Sequence, residues 1–316
     1  MTKHVVKDDF TSLYQISTFK DQWLFTASSS IVFNDMAPGL WITGAKSTVE
    51  FNGRIQTDWS SGILVDATGV KLEIGQNGEV FADDGISSNK SLDLVNRGII
   101  SGGVAISGSE ASDDVINHGI ITGVVRLRGG NDTFQFKSGS LTGAVEGGTG
   151  NDTLVTYVGE ILLSEGEDEG LDTVKSSDDY ILSAWVERLF LTGKKNIEGV
   201  GNAEDNLLKG NSGNNILSGQ VGNDTFVGAG GNDTINTGDG FDRVFFGTGS
   251  DRDRVKDFDQ AVDVFNLSSW KAVRNDASLK RHAENHGEDV WIVAGKDILI
   301  IEDTSKADLN SILFQY

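Results

Sequence analysis

GNAEDNLLK GNSGNNILS GQVGNDTFV GAGGNDTIN TGDGFDRVF FGTGSDRDR, residues 201–254, reads as six blocks of nine with nothing inserted or dropped. The sixth position of successive blocks is Asn206, Asn215, Asp224, Asp233, Asp242 and Asp251. The eighth is apolar in the first five (Leu208, Leu217, Phe226, Ile235 and Val244) and is Asp253 in the last. Glycine lets a chain take positive φ and turn tightly. The last three residues of each block suit a very short strand that points one apolar side chain inward. Two blocks then complete a coil of eighteen residues, so like turns come from alternate blocks stacked about 4.8 Å apart. That stacking predicts Asp224 beside Asp242, and Asp233 beside Asp251. Carboxylates held so close repel unless a cation lies between them. Calcium suits such a gap because it accepts several carboxylate and carbonyl oxygens at about 2.3–2.6 Å. Asn206 and Asn215 offer an oxygen without charge, so their positions should bind weakly or hold no ion.

The blocks fit the nonapeptide G-G-x-G-x-D-x-U-x, with U a large apolar residue. In this the chain resembles the RTX (haemolysin-type) calcium-binding repeats of bacterial proteins exported by type I secretion. The resemblance runs from about Gly147 to Phe258. It implies several structural calcium ions and the type I secretion machinery as a partner. The metal positions expected from repeat and resemblance together are Asp132; Gly147, Thr149 and Asp152; Gly219, Gly222 and Asp224; Gly228, Gly230 and Asp233; Gly238, Gly240 and Asp242; and Gly249 with Asp251. The aspartates would give carboxylates, and the neighbouring positions main-chain carbonyls.

Composition agrees with a metal-stapled solenoid. Among 316 residues there are 40 glycines, one proline and no cysteine. A chain rich in glycine yet poor in proline suits coils that turn at glycine, and the missing cysteine excludes a disulfide scaffold and thiol catalysis. The formal net charge of −21 is the wrong sign for nucleic acid or for adsorption to anionic lipid. Bound divalent cations would relieve the self-repulsion of such a chain.

Upstream, VEFNGRI, LEIGQNGEV, LDLVNRGII and VINHGIITG place similar glycines at Gly53, Gly78, Gly98 and Gly119, at intervals of 25, 20 and 21 residues. Short apolar alternations before such turns predict strands, and a period near twenty predicts stacked coils. An antiparallel sandwich is the alternative. LRGGNDTFQF then carries Asp132, and GGTGNDTLV, residues 147–155, carries Asp152 one coil later. The acidic run SEGEDEGLD that follows reads as a solvated loop. VERLFLTG and KNIEGVGN resemble the linking coils between calcium blocks of RTX proteins.

Beyond the repeats, Asp257, Asp259 and Asp263 are placed to close the last turn. Residues 268–286 are predicted helical from an N-cap at Ser268 or Ser269, with His282 and His286 on one face. EDVWIVAG and DILIIED predict a hairpin about Gly295 and Lys296. The last segments resemble the cap and uncleaved secretion signal of RTX exports. The N-terminus, MTKHVVKDDFTSLYQ, lacks the plan of a cleaved signal peptide.

No H-E-x-x-H, G-x-S-x-G or P-loop is present. GAGGND and GTGSDR lie inside the nonads and open no helix. The pairs Asp83-Asp84 and Asp113-Asp114 put neighbours on opposite faces of a strand, so they read as turn chemistry.

The expected fold is all-β: a right-handed parallel β-helix and β-roll solenoid with a small mixed C-terminal cap. Its divisions are 1–126, a β-helix with few calcium turns; 127–200, mixed coils with isolated nonapeptides; 201–254, the calcium roll; and 255–316, cap and secretion signal. The expected function is a secreted calcium-binding protein without enzyme activity, at a host surface or in a matrix. A polysaccharide-binding or polysaccharide-modifying protein is the alternative, with Trp23, Trp41 and Trp59 as candidate stacking residues.

Overall fold

The computed structural model describes residues 2–33, 37–158, 161–167, 169–310 and 312–316. Two compact units divide the chain: residues 1–156 with 161–172, and residues 157–160 with 173–316. Each is built of parallel coils, and the stretch 127–200 contributes to both. Strands supply nearly all of the regular structure.

In the first unit, strands Lys3–Val6, Gln22–Phe25, Thr48–Phe51, Lys71–Ile74, Asp93–Asn96, Asp114–Asn117, Thr133–Phe136 and Thr153–Thr156 follow one another in a parallel sheet. The upstream repeat is therefore a β-helix and not an antiparallel sandwich. Period-two alternation explains the core: in each of the last four strands the second and fourth residues are buried. Leu72, Leu94, Val115, Phe134 and Leu154 stack as one inward row, register partner on register partner. The neighbouring row reads Phe51, Ile74, Asn96, Asn117. The second sheet includes Arg54–Thr57, Glu79–Phe81, Ile99–Ser107, Ile120–Gly129, Val145–Thr149 and Leu163–Ser164.

In the second unit the strands of the nonads are three residues long and bury only their middle side chain, as in Thr225–Val227 and Thr234–Asn236. Alternate blocks stack: Leu208, Phe226, Val244 and Phe265 form one row, Leu217, Ile235 and Val255 the other. The roll thus buries one apolar residue per strand where the upstream helix buries two inward side chains, so it draws less from apolar burial.

The cap departs from the sequence expectation in one element. The helix is short, Asp276–His282, and begins at Asn275, whose side chain accepts from the Ser278 N–H in a reciprocal capping box. His286 lies in strand Ala283–His286, so His282 and His286 share no helix face. The hairpin is present: Asp289–Ala294 pairs antiparallel with Asp297–Ile301 through a turn with Gly295 at φ 74°. Asp297–Ile301 also pairs parallel with Arg252–Lys256. Arg254 fastens this junction by bonds to Glu302 (2.6 Å) and Asp289 (3.3 Å). Trp270 is buried against Phe246, ring centres 4.6 Å apart.

Candidate metal centre

The Asn-Asp pair at positions five and six of a nonad ties each coil in both directions. Asn223 Oδ1 accepts the Phe241 N–H of the next coil (3.0 Å), while Asp224 Oδ1 accepts the Asn206 N–H of the preceding one (2.7 Å). The same device recurs at Asn214, which accepts from Asn232 N–H (2.8 Å), and in the first unit at Asn131 and Asn151.

Repeated coil by coil, the aspartate bonds make columns. In the second unit one column is Asn206, Asp224, Asp242, Asp263, each main-chain N–H donating to the next Oδ1 at 2.7, 2.7 and 2.9 Å. A parallel column is Asn215, Asp233, Asp253, at 2.7 and 3.0 Å. In the first unit Asp113, Asp132, Asp152 and Asp172 repeat the pattern, every bond 2.7 Å. Each bond engages only one carboxylate oxygen. The second oxygen, Oδ2, of Asp132, Asp152, Asp224, Asp233, Asp242 and Asp253 is buried and faces no hydrogen-bond donor among the described residues.

The first glycine of each block leaves space for that oxygen. A Cβ on Gly219 would fall 2.0 Å from Asp224 Oδ2, one on Gly228 2.5 Å from Asp233 Oδ2, and one on Gly147 2.4 Å from Asp152 Oδ2. These glycines serve close approach, whereas the fourth-position Gly222 and Gly240 turn the chain with φ of 124° and 153°.

Burial raises the carboxyl pKa of Asp132, Asp224, Asp233 and Asp242 to about 7, of Asp152 to about 6 and of Asp253 to about 8. Desolvation is the largest cause, opposed by the N–H bond to Oδ1 and reinforced by nearby carboxylates. Asp113 and Asp263 are raised for the same first reason. Stacked acceptor-only groups that lack donors fit a hard cation with oxygen ligands.

The predicted positions distribute as follows. Asp132, Asp152, Asp224, Asp233 and Asp242 stand in columns. Gly147, Gly219 and Gly228 lie against their carboxylates. Gly238 takes φ of 94°, and a Cβ on Gly230 would meet Gly249 O at 3.6 Å and Asp251 Oδ2 at 3.9 Å. Thr149 is exposed, and its carbonyl already accepts the Gly130 N–H (2.9 Å).

The sixth block differs from its sequence register. Asp251 does not lie in the column; it pairs with Lys296 (2.6 Å), and that ammonium holds its carboxyl below the usual range. The N–H groups of Gly249 and Asp251 donate to Asp297 Oδ1. Asp253 takes the place instead, twenty residues from Asp233, and Val255 becomes the inward residue. A two-residue insertion explains Asp253 at the eighth position.

Asn206 and Asn215 behave differently from the aspartates. Their Nδ2 groups donate to Val186 O (3.1 Å) and Ile197 O (3.3 Å), so an amide hydrogen fills the place where a carboxylate leaves a bare oxygen.

Two further expectations change. SEGEDEGLD is solvated only in part: Ser164, Glu167, Gly170 and Leu171 are exposed, whereas Asp172 is fully buried and Glu165 folds onto Gly147. Asp168 of that run lies outside the described residues. Trp23 and Trp41 sit in strands of different sheets and Trp59 lies in neither, so they make no common stacking face. Asp113, Asp172 and Asp253 were missed as column members. All three carry the signal Asp-x-apolar, with Val115, Val174 and Val255 two residues on and buried.

The comparison with protein families agrees with this geometry. The family model for the RTX calcium-binding nonapeptide repeat matches residues 144–159, 200–235 and 218–253, in four copies. No curated protein matches the chain. Among solved structures it is similar to the extracellular lipase LipA from Serratia marcescens, with 16% identity and a TM-score of 0.36. That similarity covers 69% of this chain and 40% of the lipase.

Proposed function

We propose that this chain, whose residues 144–159 and 200–253 match RTX calcium-binding nonapeptide repeats, is secreted, that calcium completes its fold outside the cell, and that it acts as a non-enzymatic surface or matrix protein. The observation that carries this reading is the set of buried columns whose Oδ2 atoms face no donor.

Asp224 with Asp242, Asp233 with Asp253, and Asp132 with Asp152 would hold the ions through those oxygens, together with main-chain carbonyls of the glycine turns. When bound, calcium supplies the positive charge that lets stacked carboxylates remain ionised. Without it, the same carboxylates must take up protons or repel one another across the coil spacing. Short strands with one buried side chain each cannot offset that repulsion by apolar burial alone. A chain loosened in this way inside the cell suits threading through a type I exporter. Extracellular calcium, near millimolar, matches sites of about 10⁻⁴–10⁻³ M affinity.

The test is a calcium titration of the full chain followed by far-UV circular dichroism, with magnesium as control. The reading requires a gain of β signal with a midpoint between tens of micromolar and a few millimolar. A full β signal in excess chelator, with no thermal shift on adding calcium, would sink it.

A further inference from the structure

The acidic run after the isolated nonapeptide breaks the ninefold rule in an informative way. Strand Leu163–Ser164 pairs parallel with Val145–Thr149, with Val145 opposite Leu163 and Glu146 opposite Ser164. The next residue, Glu165, therefore stacks on Gly147. A nonad begins with glycine at such a position; here a carboxylate stands there. A Cβ on Gly147 would meet Glu165 Oε1 at 2.3 Å and Asp152 Oδ2 at 2.4 Å, so both oxygens converge on the space the glycine leaves. Glu165 Oε2 accepts the Gly148 N–H (3.0 Å), and Asp172 Oδ1 accepts the Asp152 N–H (2.7 Å). These bonds hold both acidic side chains of the following coil close to Asp152.

We propose that Asp152, Glu165 and Asp172 form a further calcium site, sharing Asp152 with the Asp132 pair, in which three side-chain carboxylates surround one ion. The proposal rests on the calcium reading of the columns only for the identity of the ion. One oxygen from each of the three residues lies within 4.8 Å of the other two. Calcium binds oxygens at about 2.3–2.6 Å, so the oxygens around one ion lie within about 5 Å of one another, the range in which these three stand.

A second observation makes this more than an acidic cluster. Asp152 is 1% exposed, and its Oδ2, aimed into the group, faces no donor among the described residues; Glu165 Oε1 is likewise buried without one. A buried charge is retained only when it is paired or coordinates a metal. Glu165 also lines a surface cleft of about 370 Å³, together with Arg126, Arg128, Glu146, Ser164 and Glu169. Glu169 Oε2 accepts the Gly166 N–H (2.5 Å), which closes the turn between Glu165 and Asp172.

The third carboxylate sets the site apart. A column position places two carboxylates around an ion, whereas this one places three, and calcium affinity rises with the number of charged ligands. The site is expected to bind about tenfold or more tightly than the columns and to fill first as calcium rises.

The experiment is equilibrium dialysis of the full chain against radioactive calcium, comparing wild type, Glu165→Gln, Asp172→Asn and Asp242→Asn. Both single-site changes keep the hydrogen-bonding oxygen, and dichroism in saturating calcium checks that each variant folds. The expected result is that Glu165→Gln and Asp172→Asn each remove one equivalent from the tightest class, or weaken it at least tenfold. Asp242→Asn should spare that class and lower only the weaker binding. If the tightest class is unchanged in both Glu165→Gln and Asp172→Asn, the inference is overturned, whatever Asp242→Asn does. If Asp242→Asn changes nothing while Glu165→Gln abolishes binding, the three-carboxylate site stands and the column reading falls.

Discussion

Two ways of stacking polar residues inside a coil meet in this protein. In the upstream helix Asn96 and Asn117 lie buried one above the other, and Asn96 Nδ2 donates to Asn117 Oδ1 (2.8 Å). Asn117 Nδ2 passes the chain on to Gly119 O and Ser138 O, and each Asn Oδ1 accepts a main-chain N–H two residues on. An amide is both donor and acceptor, so the ladder satisfies itself. In the aspartate columns the stacked side chains only accept, each from the main-chain N–H of the preceding coil. At Asp132, Asp152, Asp224, Asp233, Asp242 and Asp253 one oxygen is satisfied and the other is left over, whereas at Asp113 and Asp263 both oxygens accept main-chain N–H groups. The difference of one atom, NH2 against O⁻, separates coils that are complete from coils that wait for a cation.

The sharpest way to break this comparison is to withdraw calcium. A ligand that binds only the folded form at a hundred times its Kd adds about 2.7 kcal/mol per site. Amide protection at Asp224, Asp233 and Asp242 should therefore drop by about a hundredfold or more in chelator, while Leu94 and Val115 keep theirs. Hydrogen exchange with and without chelator reads both regions at once. An equal loss in both would mean that the asparagine ladder also depends on metal.

Exchanging the two chemistries comes next. Asn117→Asp turns an oxygen toward Gly119 O and Ser138 O and should cost about 3 kcal/mol in urea unfolding, as expected for an uncompensated buried charge. Asp224→Asn keeps the acceptor for the Asn206 N–H and brings an amide donor to the bare side. It should raise stability by about 1 kcal/mol in chelator and lower it in calcium. The same sign under both conditions would refute the one-atom account.

Acidity separates the regions more gently. Asp224, Asp233 and Asp242 have folded pKa values of about 7 against an ordinary 3.8. The metal-free fold therefore holds protons that the unfolded chain has released. Its carboxyl contribution is fully present below about pH 4 and is lost as pH rises through about 7. Calcium affinity should run the other way, rising with pH until those protons are gone. Thermal melts between pH 4.5 and 8, in chelator and in calcium, would show opposite slopes.

The smallest effect is purely conformational. Ala229 takes the left-handed φ of 74° at a second position where Gly238 stands in a later block. Ala229→Gly should stabilise by about 1 kcal/mol, equally with and without calcium. A gain confined to one condition would tie that turn to the metal.

The asparagine ladder was half legible in sequence. The recurrent Asn-x-Gly marked the turns, but nothing in a linear reading says that Asn96 and Asn117 point inward. That follows only from their pairing in register, twenty-one residues apart. The columns were legible where the spacing is uniform, through Asp224, Asp233 and Asp242. The reading slipped where two residues are inserted, because Asp251 keeps the count while Asp253 keeps the pairing. A strand aligns by its hydrogen bonds and its inward side chain, not by counting, so Asp-x-Val at 253–255 was the better guide.

By itself, then, the sequence determined the coil, the apolar rows and the acidic edge, because a repeated local pattern dictates a repeated local structure. Where the spacing is irregular, only the tertiary structure decided which carboxylates meet. Glu165 lies in no repeat register, yet strand pairing at Leu163 sets it on Gly147 and beside Asp152. Contacts across coils depend on how many residues each loop spends before the next strand, and that length is free to vary while the stacking distance is not.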